Sequence, residues 1–224
     1  MASSYQELTR AVSFRPSPLF GELLQGDPFV FDFTAANPRV AEYVTNDYDT
    51  FQTQIFADLE ASGKSWGLGN YLEDRSALLH RFPQMIEEGR VIHAGLDIIV
   101  QAGEALHAPL DARVHATGVD AGLGNYGGYV VLCHEVDDVR FFSFYGHLNS
   151  AFQVEVGQCL AAGAPFALTG EGADTGHWFS HTHLQVLTEG AIEEGRMLQG
   201  YVRPSDVPEL GSLFPTPYPM FRVD

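Results

Sequence analysis

The chain has 224 residues, 45% of them apolar and 12% aromatic, which suits one domain with a modest extension and argues against disorder. Only 18% are charged, yet 29 acids against 12 bases leave a net charge of −17, with Lys64 the only lysine. Phosphate binding needs clustered Lys and Arg, so coating nucleic acid or an anionic membrane is disfavoured.

In chain order, Ser4-x-x-Glu7 reads as a capping box before a short helix. With Glu7 ahead of any apolar run, no signal peptide is visible. As written, the chain is therefore expected in the cytoplasm, with periplasmic or extracellular action if a leader is missing or another export route operates. Pro16, Pro18, Pro28 and Pro38 punctuate an irregular stretch around the run FVFDF. Asn46 and Asp47 then precede Tyr48, Phe51, Ile55, Phe56 and Leu59 at helical spacing, and Gly63 is a plausible stop. From about residue 90 the texture is β: Asp97–Val100, Ala112–Ala116, Gly128–His134, Arg140–Tyr145, Pro165–Thr169 and Thr182–Leu187 are the expected strands, joined at glycines that include Gly118. Pro204, Pro208, Pro215, Pro217 and Pro219 predict an extended strap at the end. The reading is mainly β with a helical N-terminal addition, α+β overall: residues 1–62 as extension, 63–205 as the β domain and 206–224 as the strap. No run approaches the roughly 18 apolar residues of a membrane span. Cys133 and Cys159 read as small buried apolar residues.

Four of the nine histidines and one aspartate carry the chemistry. In HTHLQVL, a strand places His181, His183 and Gln185 on one face and Leu184 and Val186 on the other. Two imidazoles on an apolar strand are costly to bury without a partner, and a metal would be one. In VIHAGLDIIV, a spacing of four again puts His93 and Asp97 on one face of an extended segment; the bland alternative is a structural Asp–His pair. Two histidines and a carboxylate fill three corners of a tetrahedron and leave the fourth for water, the pattern of a catalytic zinc site. His147, in FYGHLNS, is either an active-site base at a strand end or a surface residue capping a turn.

The order HAGLD, GNYGGYVVLCH, FYGHL, VGQCLAAGAPFALTG, HTHLQV across roughly residues 90 to 190 resembles the lysostaphin/LytM family of zinc endopeptidases. That resemblance implies a small antiparallel sheet with a groove across it and cleavage of peptidoglycan cross-bridge peptides. It implies one Zn2+ per chain on His93, Asp97 and His183, with His147 and His181 as catalytic histidines that do not bind the metal. GLGNYLEDRS looks like a variant of the family's Gly-x-x-Arg segment and puts Arg75 near the groove; Asn125, Tyr126 and Trp178 are further candidate substrate contacts. Some relatives carry an occluding N-terminal segment with an asparagine as fourth ligand, for which Asn37, Asn46 and Asn70 are the candidates. His80, His107, His115, His134 and His177 read as structural or exposed. Departures are DTGHWFS before the HxH, where Trp178 and Phe179 would narrow a subsite, and the first 60 residues, which match no wall-binding module. The rivals are a zinc amidase acting on a non-wall peptide and a non-catalytic binding module. A cupin-type barrel is discounted because its HxH precedes the other ligands. The sequence leaves the oligomeric state open.

Overall fold

The computed structural model describes residues 4–44 and 47–221. In chain order the strands are β1 Phe29–Phe31, β2 Gly67–Gly69, β3 Ile92–His93, β4 Leu96–Ile99, β5 Ala105–His107 and β6 Ala112–Asp120. They continue as β7 Gly127–Val136, β8 Val139–Leu148, β9 Cys159–Leu160, β10 Pro165–Leu168, β11 Thr182–Thr188 and β12 Tyr201–Val202. The helices are α1 Tyr5–Leu8, α2 Val40–Tyr43, α3 Tyr48–Ala61, α4 Pro83–Glu87, α5 Glu189–Glu193 and α6 Leu210–Leu213. Among the described residues, no helix is long and apolar enough to cross a membrane.

One eight-stranded sheet, ordered β1-β2-β4-β11-β8-β7-β6-β9, organises the molecule. Its long hairpin, β7–β8, turns at Asp137 and Asp138 with φ of +48° and +64°; two consecutive positive φ values match the right-handed twist of the flanking strands. Alternation along the strands feeds two cores. Val130, Leu132, Leu184 and Val186 enter one, and Val131, Phe142, Phe144 and Leu187 the other. Each such side chain, fully buried, contributes about 1.5–3 kcal/mol. His183 and Gln185 share the second face, so the active face of β11 is set by the same period of two that hides Leu184.

The third core joins the two ends of the argument. Phe31, Phe33, Tyr43, Phe51, Ile55 and Leu59 pack with Ile99, Trp178, Phe179 and Tyr201, so α3 backs the loop that leads into His181. Helix α3 starts as read: the Asp47 side chain accepts from Asp49 N, and Gly63 follows its last turn at φ +70°. Asn46 lies outside the described residues. The capping box at Ser4 and Glu7 forms.

Several expectations change. FVFDF is not irregular: Phe29–Phe31 is β1, paired parallel to β2 and extending the sheet. His147 lies within β8, which runs to Leu148, and not after its end. Gly118 lies inside β6 because the Tyr129 ring covers it; a Cβ there would sit 2.6 Å from the hydroxyl. The C-terminal segment is no extended strap but a series of helical turns, Pro204–Glu209, Leu210–Leu213 and Tyr218–Met220, which bury Leu210, Phe214 and Met220. Cys133 is half-buried and Cys159 exposed, since they lie on the outer part of the sheet either side of Arg113.

Candidate metal centre

His93 and Asp97 do not share one continuous strand. The chain breaks at Ala94 and Gly95: β3 pairs with β12, whereas β4 joins the main sheet between β2 and β11. Glycine is required at the break, because a Cβ on Gly95 would lie 2.5 Å from the His183 ring and 2.7 Å from Leu184 O. Across the sheet, His183 stands directly opposite Asp97 on one side and Gly146 on the other. The bare face of Gly146 admits the Tyr126 ring.

These placements bring three atoms together. His93 Nε2 lies 3.0 Å from His183 Nδ1, and Asp97 Oδ1 is 3.2 Å from each. Hydrogen bonds behind the rings fix the tautomers. His93 Nδ1–H donates to Asn70 O at 2.9 Å. His183 Nε2–H donates to Gln185 Oε1 at 3.0 Å, and Gln185 is oriented by donating from its own amide to Gln199 O. Two imidazole lone pairs and a carboxylate oxygen therefore face one another, almost dry: His93, Asp97 and His183 are at most 2% exposed. Three electron-rich atoms this close repel unless a cation sits among them. Tetrahedral zinc, with bonds of about 2.0–2.2 Å, spaces its ligands roughly 3.3 Å apart, so the triangle and its donor chemistry fit that ion. Among the described residues this is the one such group of His, Cys, Asp or Glu side chains.

Asp97 Oδ2 is held by the Arg75 guanidinium. Arg75 Nε–H donates to Glu73 Oε2 at 2.9 Å, Glu73 Oε1 accepts Phe33 N–H at 3.1 Å, and the Phe33 ring lies 4.9 Å from the guanidinium carbon. Arg75 is thus not a groove residue as expected. It is buried behind Asp97, where it neutralises one carboxylate oxygen and leaves the other for the metal. Burial acts against the Asp97 carboxylate, but His93 and Arg75 beside it hold it well below the usual range. Of the candidate fourth ligands, two are engaged elsewhere: the Asn70 side chain accepts from Tyr218 OH, and the Asn37 side chain donates to Asp32 O and accepts from Arg39 N.

Two further histidines face the same space. His147, at φ +61°, donates Nδ1–H to Thr175 O at 3.0 Å, and His181 donates Nδ1–H to Phe179 O at 2.7 Å. Both keep Nε2 as a lone-pair atom. Their ring centres are 4.3 Å apart, and His181 Nε2 is 3.5 Å from Asp97 Oδ1. Burial is the main reason His181 falls to about 4 and His147 well below its ordinary value, so both are neutral at pH 7. Burial also takes His93 down to about 3, as suits a lone-pair donor.

A cleft of about 200 Å³ opens over these groups. Asn125, Tyr126 and Trp178 line it, as do Arg90, Met85 and Tyr201, which sequence reasoning missed. The Tyr126 hydroxyl is 3.3 Å from His183 Nε2, and burial first of all keeps its pKa well above the ordinary value, so it stays protonated. Glu73 was missed too; its only signal was an acid two residues before Arg75.

One convergent His₂–carboxylate triangle and two neutral histidines over a cleft form a candidate metal centre. Residues 91–193 match peptidase family M23. Similar solved structures include a zinc-containing peptidase from Vibrio cholerae, 28% identical over 43% of this chain and 27% of that one, TM-score 0.35. Another is a putative M23 peptidase from Pseudomonas aeruginosa, 28% identical over 42% of this chain and 37% of that one, TM-score 0.35. The catalytic domain of lysostaphin from Staphylococcus simulans is 22% identical over 54% of this chain and 80% of that one, TM-score 0.36. This chain thus spans only 27% and 37% of the first two. No curated protein matches it.

Proposed function

We propose that this chain is a zinc-dependent peptidase, with one Zn2+ held by His93, Asp97 and His183, acting on peptides of peptidoglycan. The observation that supports it is the triangle of three bare ligand atoms set beside two neutral, backbone-anchored histidines. When bound, the ion supplies Lewis acidity, polarising an amide carbonyl and lowering the pKa of the attacking water to roughly 7. His147 and His181 do the proton work: one Nε2 accepts the proton of the water and passes it to the other, whose ring centre is 4.3 Å away, and that histidine, so protonated, steadies the oxyanion and gives the proton to the leaving amine. Their anchored Nδ1 atoms keep both Nε2 atoms aimed at the cleft. Tyr126 remains a donor at its wall. Arg75 and Glu73 position Asp97, while Gln185 positions His183.

His147→Ala should keep its zinc and lose about 10²–10⁴-fold in rate on the substrate that wild type cuts. Purified wall sacculi and a panel of free peptides are the substrates to compare. Cutting of free peptides with sacculi untouched would favour the non-wall reading. Full zinc with an undiminished rate in His147→Ala would remove that residue from the mechanism.

A further inference from the structure

The cleft is closed on the side away from the sheet. Residues 78–90, which include α4, cross to the loop 121–126 and the loop 172–181. Gln84 Nε2–H donates to Leu123 O at 2.8 Å, and Arg81 donates to His177 O at 3.2 Å. Trp178 Nε1–H donates to Gly124 O at 3.1 Å, and its ring packs on Phe82 at 4.2 Å. Gly124 is held between these walls at φ +83°, where a Cβ would sit 2.7 Å from the Phe82 ring. Three segments far apart in sequence form one wall, and Leu198 and Gly200 face it. The result is a pocket of about 200 Å³ walled by three separate segments.

Two charged side chains outside the metal cluster line this pocket, Arg90 and Asp120. Asp120 is committed to its own loop: Oδ1 accepts from Asn125 Nδ2 at 3.1 Å and Oδ2 from Tyr126 N at 3.2 Å. Arg90 is not. Its Nε–H goes to Glu88 Oε2 at 2.6 Å, and among the described residues no acceptor is within hydrogen-bonding distance of either Nη. Its charge reaches the Tyr126 hydroxyl, which is 3.3 Å from His183. A guanidinium with free parallel N–H groups matches a carboxylate in geometry and charge.

Resting on the peptidase reading of the cleft, we propose that Arg90 anchors a free peptide carboxylate, so that the substrate is a short peptide or a chain end and the cut falls near its C-terminus. Arg90 then rewards the charge found only at a chain end.

The test is binding of triglycine and of triglycine amide to the zinc-loaded protein, followed by the fluorescence of Trp178. Wild type should bind the free acid at least about tenfold more tightly than the amide. Arg90→Gln should erase the difference while zinc content stays unchanged, and Arg90→Lys should retain part of it. Equal binding of acid and amide by wild type, or binding of neither, would overturn the anchor. So would a preference that survives Arg90→Gln, because the metal would then be taking the carboxylate. Peptide hydrolysis without the preference overturns the anchor alone; the preference without any hydrolysis overturns the peptidase reading alone.

Discussion

His134 shows what a single buried histidine does to this protein away from the cleft. It is fully buried, with Nδ1–H on Asp111 O at 3.1 Å and Nε2 on Ser143 Oγ at 2.7 Å. Burial lowers its pKa from 6.5 to about 4. Between those values the unfolded chain binds a proton that the folded chain does not, so stability rises with pH across that window. The contribution is fully present above pH 6.5 and is lost as pH falls toward 4, up to about 3 kcal/mol in all. Denaturant unfolding of His134→Gln between pH 7 and 4 should show a shallower loss than wild type; parallel curves would contradict it. At this scale the triangle was legible: HAGLD and HTH name His93, Asp97 and His183, which the fold brings together, and the period of two already turned Gln185 toward the same face. Arg75 was misplaced because its partners, Glu73, Asp97 and Tyr201, come from three separate stretches, and no local pattern reports burial of a guanidinium. Arg90 and Met85 were invisible for the same reason: what puts them in the cleft is the path of residues 78–90, which has no periodic signal.

Elements explain why the site is rigid. Helix α3 was legible from its cap and apolar spacing, but not what it packs on. Phe51 is fully buried against Tyr43, Trp178 and Phe179, and Gln52 Oε1 accepts the Ser180 backbone N–H at 2.7 Å, one residue before His181. Phe31, Phe33, Tyr43, Phe51, Ile55 and Leu59 thus buttress the loop that leads into His181, whereas Tyr5, Leu8, Leu19, Phe20 and Leu24 pack into the other core. Phe51→Ala should cost about 3–5 kcal/mol, since the surrounding rings cannot close the cavity, and the denaturation midpoint measures it. A cost under about 1 kcal/mol would mean that this core yields easily. β1 escaped sequence reading because the prolines around FVFDF signal loops, whereas its register comes from β2, more than thirty residues away. The six strands expected from residue 97 onward form, because each is a short apolar run between turn residues, whereas β5, β9 and β12, only two or three residues long, were missed; the strand ends were not legible either, since bulges such as that between Val114 and Ala116 in β6 carry the pairing past expected turns.

For the whole molecule, the main sheet sets β4, β11 and β8 side by side, and the two-stranded β3–β12 sheet brings His93 to the same point. The C-terminal turns bury Leu210, Phe214 and Met220 in the cores on the two faces of the main sheet, and the cleft opens over His147, His181 and His183. Against a net charge of −17, Arg90 stands out as a cation lining that cleft, paired through Nε with Glu88. All of this depends on the triangle being a metal site. Zinc per chain, measured by elemental analysis of purified wild type beside His183→Ala, tests that most directly. The account predicts about one zinc in the wild type and almost none in the variant. A wild type that takes up no zinc after supplementation, or a His183→Ala variant that retains it in full, would contradict it.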